Sequence, residues 1–367
     1  MELDIAKLRD ALKSTEARSR FEGAIADALR PDEETRSIAV LKERIERIHV
    51  PDGTAKRVGQ TFDRMVTRAL KKTGEAQCNV LAAPTGAGKS HMMDRLPKDP
   101  RLAPSHDMFG PIQPLVYVRA PSPCNLQTLG RVLYKRLTDA EIAPSTKEGE
   151  VWQRLRYQMY GQRTVIVAID EFHNVLVTPK MEVRQAVVNT IKSLLQPTPE
   201  CGIPHLLRPY PIQVVLAGVP LVQQAVKING ELDRRAKKIT IRQLSSTKEG
   251  LREMGAFLKA VDNVLGFPRS SDLAEPEMVR RFMAATGGFQ GRAMHLVKEA
   301  AFAALDDRAP RIDREDHLAV VLEEITTVDP AGNPFLVADA SKVRGIRGED
   351  WGEITRLRGI REGTCDE

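Results

Sequence analysis

The sequence predicts an α/β fold, a parallel sheet sandwiched by helices and followed by a small all-helical domain. Three observations predict it. Five short β-rich runs, at 79–82, 115–118, 165–169, 214–217 and 239–241, alternate with helical patterns at 90–96, 126–137, 183–195 and 221–228. The β-rich runs are nearly continuous in apolar residues, as expected of strands buried on both faces. After about residue 245 strand signals cease, and helical runs follow at 247–265, 274–285, 291–305 and 313–325.

The 367 residues suffice for a core domain of about 150–200 residues with smaller units attached. Residues 1–50 read as a helical segment. Leu3, Ile5, Leu8 and Leu12 share one helical face, and a second helix starts at Pro31-Asp32, where Asp32 can cap free N–H groups. Its apolar positions are Ile38, Leu41, Ile45 and Ile48, and Pro51-Asp52-Gly53 stops it. Residues 51–245 hold the α/β domain and 246–330 the helical one. Residues 331–367, rich in Gly, Arg and acid, read as a tail. In it Arg-Gly-Ile-Arg at 344–347 recurs at 358–361 around Trp351, as a partner-docking peptide or by coincidence.

Composition narrows the class. Apolar residues make up 42% and charged residues 28%, as in soluble globular proteins. No run approaches the ~18 apolar residues of a membrane helix. The charged start lacks a secretory pattern, so a cytoplasmic protein without a membrane partner is expected. Cys78, Cys124, Cys201 and Cys365 lie far apart and read as free thiols. The net charge is +6, but residues 51–250 alone carry 29 Lys and Arg against 17 Asp and Glu. That surplus fits an anionic partner, nucleotide or nucleic acid.

Four motifs carry chemistry. Ala83-Pro84-Thr85-Gly86-Ala87-Gly88-Lys89-Ser90 follows a strand, opens a helix and fits the phosphate-loop pattern, with Ala83 in place of the usual first Gly. Gly86 and Gly88 let backbone N–H groups turn inward, and the helix start adds its positive end. Lys89 supplies charge for the β- and γ-phosphates of ATP, and Ser90 a hydroxyl for Mg2+. The run TVIVAIDEFHNVL, 164–176, delivers Asp170 and Glu171 to the carboxyl edge of the sheet, where such folds bind ligands. Asp170 suits the Mg2+ shell and Glu171 the polarising of a water. Neighbouring His173 reads as structural, or as a reporter of nucleotide state. Arg234-Arg235, before the last strand, read either as a surface pair or as the source of an arginine finger for an adjacent subunit. In ATGGFQGR, Gly287-Gly288 breaks one helix, and Arg292 at the start of the next is placed to reach the γ-phosphate.

With these pieces in order, the chain resembles the AAA+ ATPases over about residues 45–325, a P-loop NTPase family with a C-terminal helical lid. Within them it is similar to the TniB/TnsC-type ATP-binding proteins of transposons, related in role to MuB. The carriers are APTGAGKS, VIVAIDEFHNVL, VVLAGVPLV, the DRR before the last strand, and TGGFQGR. The resemblance implies a slow ATPase that self-associates into a ring or helical filament on double-stranded DNA, largely without regard to sequence. It would recruit a transposase, work with a target-selector protein, and disassemble on hydrolysis. Lys89 and Ser90 would hold phosphate and Mg2+, Asp170 and Glu171 would serve metal and water, Arg234 or Arg235 would be the finger, and Arg292 the second sensor. DNA contacts would come from the region after the second strand, with Arg131, Lys135 and Lys147 as candidates. Ala217-Gly218-Val219-Pro220 departs from the family by placing no polar side chain at the tip of the fourth strand. Two other readings stay open: an AAA+ helicase loader or initiator, and a nucleotide-stabilised scaffold with negligible turnover.

Overall fold

The computed structural model describes residues 14–28, 32–50, 53–69, 76–177, 180–196, 210–339, 345–346 and 351. The helix expected at 2–13, Cys201, Cys365 and most of the Arg-Gly-Ile-Arg repeat lie outside the described residues.

Three helices precede the sheet: α1 (Thr15–Ala28), α2 (Glu33–Glu46) and α3 (Gly53–Ala69). The Asp32 side chain accepts from Thr35 N–H and caps α2 as anticipated. Ile48 does not continue that helix, which ends at Glu46. Pro51 disfavours helical backbone at the residue before it, and residues 48–50 run on without helical structure. Helix α3 has no counterpart in the sequence reading, although Val58, Phe62, Met65 and Val66 recur at helical spacing and are buried.

The expected parallel sheet is present. Its strands are β1 (Cys78–Ala82), β4 (Leu115–Arg119), β5 (Ile166–Asp170), β6 (Gln213–Gly218) and β7 (Ala236–Thr240), ordered β4-β5-β6-β1-β7. A separate short hairpin pairs β2 (Ser105–Asp107) with β3 (Gly110–Ile112). Between the strands lie α4 (Lys89–Met93), α5 (Leu126–Thr138), α6 (Glu148–Gly161), α7 (Met181–Leu195), α8 (Leu221–Lys227) and α9 (Gly230–Arg235). Alternate strand residues face opposite cores. Val80, Val116, Val167 and Val214 pack with Leu133, Leu155, Ile191 and Val226 of α5–α8. Leu81, Leu115, Ile166 and Val215 pack with Phe62 of α3 and Met93 of α4. Both strand faces must therefore be apolar, which is why the runs show no alternation.

Helices α10 (Lys248–Leu265), α11 (Pro276–Thr286), α12 (Gln290–Asp306) and α13 (Val320–Ile325) build the lid around its own core. The run expected as one helix over 313–325 starts wider, with Leu318 N–H donating to the Asp313 carbonyl five residues back. Periodicity fades past residue 330, yet packing does not. Phe335 is fully buried against Phe282, and the Arg281 guanidinium donates to the carbonyls of Pro334 and Val337. Helix α2 packs on α12 through Ile45, and Lys42 pairs with Asp306. No helix among the described residues is long and apolar enough to cross a membrane.

Candidate nucleotide site

Strand β1 delivers the loop 83–88 to the carboxyl edge, where Ala83 N–H continues the ladder to the Gly218 carbonyl at 3.1 Å. Gly86 (φ 75°) and Gly88 (φ 89°) hold left-handed backbone, which a side chain would strain. Lys89 is buried, and its amine donates to the Ala83 and Pro84 carbonyls at 2.9 and 2.8 Å. It thus lies folded along the loop that would cradle a phosphate. Helix α4 stops after five residues, because Pro97 follows closely and the chain turns at Leu96.

Two strands away, β5 ends at Asp170, which is fully buried. One carboxylate oxygen, Oδ1, accepts from Glu171 N–H at 2.9 Å, while Oδ2 has no hydrogen-bond partner. The exposed Arg119 guanidinium lies 3.8 Å from Oδ2, level with it in the register of β4 and β5. A buried carboxylate oxygen left without a donor costs free energy unless something else satisfies it. Glu171 takes φ 52°, unusual for a residue with a side chain. Its Oε2 lies 3.3 Å from His173 Nδ1. Burial lowers the His173 pKa below the usual imidazole value, against the opposing pull of the Glu171 carboxylate. His173 also packs on the strand tip, where a Cβ on Gly218 would sit 3.2 Å from Nδ1.

The lid closes the other wall. The backbone of Gly291 lies against the phosphate loop so closely that a Cβ there would sit 2.5 Å from the Ala87 carbonyl carbon. Arg292 is 2% exposed, and its Nε donates to the Thr85 carbonyl at 3.0 Å. Thr85, Gly86, Lys89, Ser90, Glu171 and His173 line a cavity of about 480 Å3, with Val219 at the tip of β6. An adjoining cavity of about 420 Å3 shares Gly88, His91, Gly291 and His295, and extends to Ile48, His49, Val50, Phe257 and Met294. There the rings of His49 and His91 sit 4.3 Å apart, and burial lowers the His91 pKa, with His49 adding to the effect. The sequence reading missed this second chamber. Its signal is Ile48-His49-Val50 between a helix end and Pro51, of which the helical periodicity takes in only Ile48.

The structure therefore gathers the 84–90 loop, Asp170, Glu171 and Arg292 about one cleft. Arg234 and Arg235 lie elsewhere. They precede β7, whose first residue pairs with Cys78 at the opposite end of β1 from the loop. Arg235 is buried and faces Glu231 at 3.4 Å, whereas Arg234 is exposed. Arg131 donates to the Ala143 and Pro144 carbonyls, Lys135 pairs with Glu141, and Lys147 is the exposed residue just before α6. Arg131 and Lys135 thus brace the α5–α6 loop. Among the described residues no cluster of three His, Cys, Asp or Glu side chains suits a metal. A divalent ion at Ser90 and the open Asp170 oxygen would depend on phosphate oxygens for further ligands.

A family model described as an AAA domain matches residues 71–226. No curated protein matches the chain. Among solved structures, it is similar to Cdc6p from Pyrobaculum aerophilum over 79% of this chain and 72% of that one, at 14% identity and TM-score 0.55. It is similar to the Aeropyrum pernix ORC1 protein in complex with DNA over 79% and 70%, at 16% identity and TM-score 0.51. The Aeropyrum pernix ORC2 protein in its ADPNP–ADP complexes is aligned over 78% and 72%, at 16% identity and TM-score 0.50. Residues 71–226 thus carry an AAA domain, set in the P-loop AAA+ fold that these proteins share.

Proposed function

We propose that this chain is an ATP-driven switch that assembles on duplex DNA and regulates transposition, recruiting a transposase while ATP is bound and releasing DNA on hydrolysis. The observation that carries the nucleotide reading is the cleft itself. One chamber is lined by the phosphate loop and Glu171, and the adjoining chamber offers Ile48, Val50, Phe257, Met294 and the His49 and His91 rings, with Glu46, Asp94, Lys298 and Glu299 at its walls, where a base would lie.

ATP would place its phosphates along 84–90, with Lys89 leaving the loop carbonyls for the β- and γ-phosphates. Ser90 and the unpartnered Asp170 oxygen would hold Mg2+. Bound there, the ion would neutralise phosphate charge. Glu171 would orient the attacking water. His173, packed on the glycine that ends β6, would supply the polar group that Val219 cannot. Arg234 is the better finger, because Arg235 is buried against its own helix. Its distance from the loop of its own chain means that it would act on the nucleotide of a neighbouring copy.

The DNA-bound state of the ORC1 protein named above supports a duplex partner. The basic surplus of residues 51–250 supports it too. Transposition, with a transposase and a target selector as partners, rests on the D-E-x-H-N-x-L form of 170–176 and on Gly218-x-Pro220. The likeness to Cdc6p favours a second reading, an initiator or helicase loader. ATPase rates of the wild type and Glu171→Gln, with and without duplex DNA, test the core of the proposal. A DNA-stimulated rate that the substitution abolishes is expected. A wild type with no rate leaves a scaffold, and stable capture of a helicase in place of a transposase selects the loader.

A further inference from the structure

The lid carries a contact that none of the four motifs explains. Trp351 is 7% exposed, and its indole N–H donates to the Ala285 carbonyl at 3.1 Å. Ile346, equally buried, donates its backbone N–H to the Ala284 carbonyl at 2.9 Å. Both acceptors belong to the last turn of α11, where a helix leaves its carbonyls without partners of its own. Residues some sixty positions downstream thus complete the end of a lid helix.

The same indole reaches the cleft. Its ring centroid lies 5.1 Å from Arg292 Cζ, and the Phe289 ring lies 5.0 Å from that carbon, both within cation–π range. A Cβ placed on Gly86 would lie 3.1 Å from Arg292 Cγ and 3.9 Å from Trp351 Cε3. Trp351 therefore stacks on the guanidinium whose side chain packs beside Gly86 of the phosphate loop. Arg292 meanwhile spends its Nε–H on the neutral Thr85 carbonyl. A triphosphate offers an anionic acceptor, which forms the stronger bond.

Resting on the nucleotide reading above, we propose that Trp351 is a positioning residue for Arg292: it holds the guanidinium on the Thr85 carbonyl and opposes its transfer to the γ-phosphate. The contact narrows the preference of the cleft for ATP over ADP, since only ATP presents the group that draws Arg292 off the indole. By linkage, ATP weakens the seat of Trp351 on α11 by the factor by which that seat weakens ATP binding, while ADP leaves it in place. The seat of residues 346 and 351 then follows nucleotide state.

The test uses the full chain, with ADP and a non-hydrolysable ATP analogue measured by calorimetry. Trp351→Ala is expected to raise the preference for the analogue over ADP by about 2- to 30-fold, the range of a cation–π contact. Trp351→Phe keeps most of the wild-type ratio, and Arg292→Ala removes the effect of Trp351→Ala. An independent reading comes from intrinsic fluorescence. The chain has two tryptophans, and Trp152 is buried in α6, so Trp152→Phe leaves the indole at 351 as the reporter. Its emission should shift with the analogue, stay constant with ADP, and lose this distinction in Arg292→Ala. If Trp351→Ala scales both affinities equally, or the emission responds alike to both nucleotides, Trp351 is packing alone and the proposal is wrong. A wild type that binds neither nucleotide instead overturns the site reading beneath it.

Discussion

The two chambers of the cleft are built on different principles. The phosphate chamber takes most of its lining from the 85–90 loop and from Glu171 and His173 just past one strand end. The second chamber collects Ile48, His49, His91, Phe257 and Met294 from four separate segments. Its apolar side chains supply shape and surface, with Glu46, Asp94, Lys298 and Glu299 around them. Phosphate recognition depends on backbone N–H groups and charges within hydrogen-bond distance, so it fixes residue types at fixed spacing. A purine face accepts many side chains, so it fixes none.

Experiments can break that contrast. The largest effect is expected from outside both chambers. Arg234→Ala should cut the assembled ATPase by about 10³-fold or more. Mixing it with Glu171→Gln should restore part of the rate at mixed interfaces, whereas Arg235→Ala should chiefly destabilise α9. Purely additive rates in the mixture would place a complete site within one chain. Next, Lys89→Ala should weaken the ATP analogue on the order of 10²-fold in calorimetry, through loss of charged hydrogen bonds. DNA-bound assemblies should vanish with it in electron micrographs.

A smaller effect belongs to the second chamber. Phe257→Ala should weaken adenine and guanine nucleotides by about 10-fold and leave inorganic triphosphate binding unchanged. Equal losses for all three would mean that this chamber is not where the base sits. The smallest is Lys135→Ala. It should lower the salt dependence of DNA binding by about one phosphate's contribution without changing sequence preference. An unchanged slope would confine Lys135 to its pair with Glu141.

Much of the architecture was legible because burial on both faces forces continuous apolar strands. All five runs proposed as strands are strands, with ends moved by up to three residues. Among the helices missed, which include α1 and α9, α3 and α6 had the right spacing at Val58, Phe62 and Met65 and at Val151, Leu155 and Met159. Their apolar residues are diluted by charge, and at α6 no capping residue marks the start. Helix α6 begins behind Lys147, which makes no side-chain capping bond.

From the sequence alone came what local chemistry dictates: a strand, a glycine turn and a lysine in order, and a carboxylate pair at the end of an apolar run. These follow because neighbouring residues must cooperate over a few ångströms of one chain. Only the tertiary structure decided which distant side chains meet. It set Gly291 against Ala87, Arg292 on Thr85, Arg119 beside Asp170, Trp351 over Arg292, and a histidine from before the sheet in the wall of the cleft. No periodicity encodes such meetings, because they depend on how the lid packs on the sheet, and that is settled by three cores summed over the whole molecule.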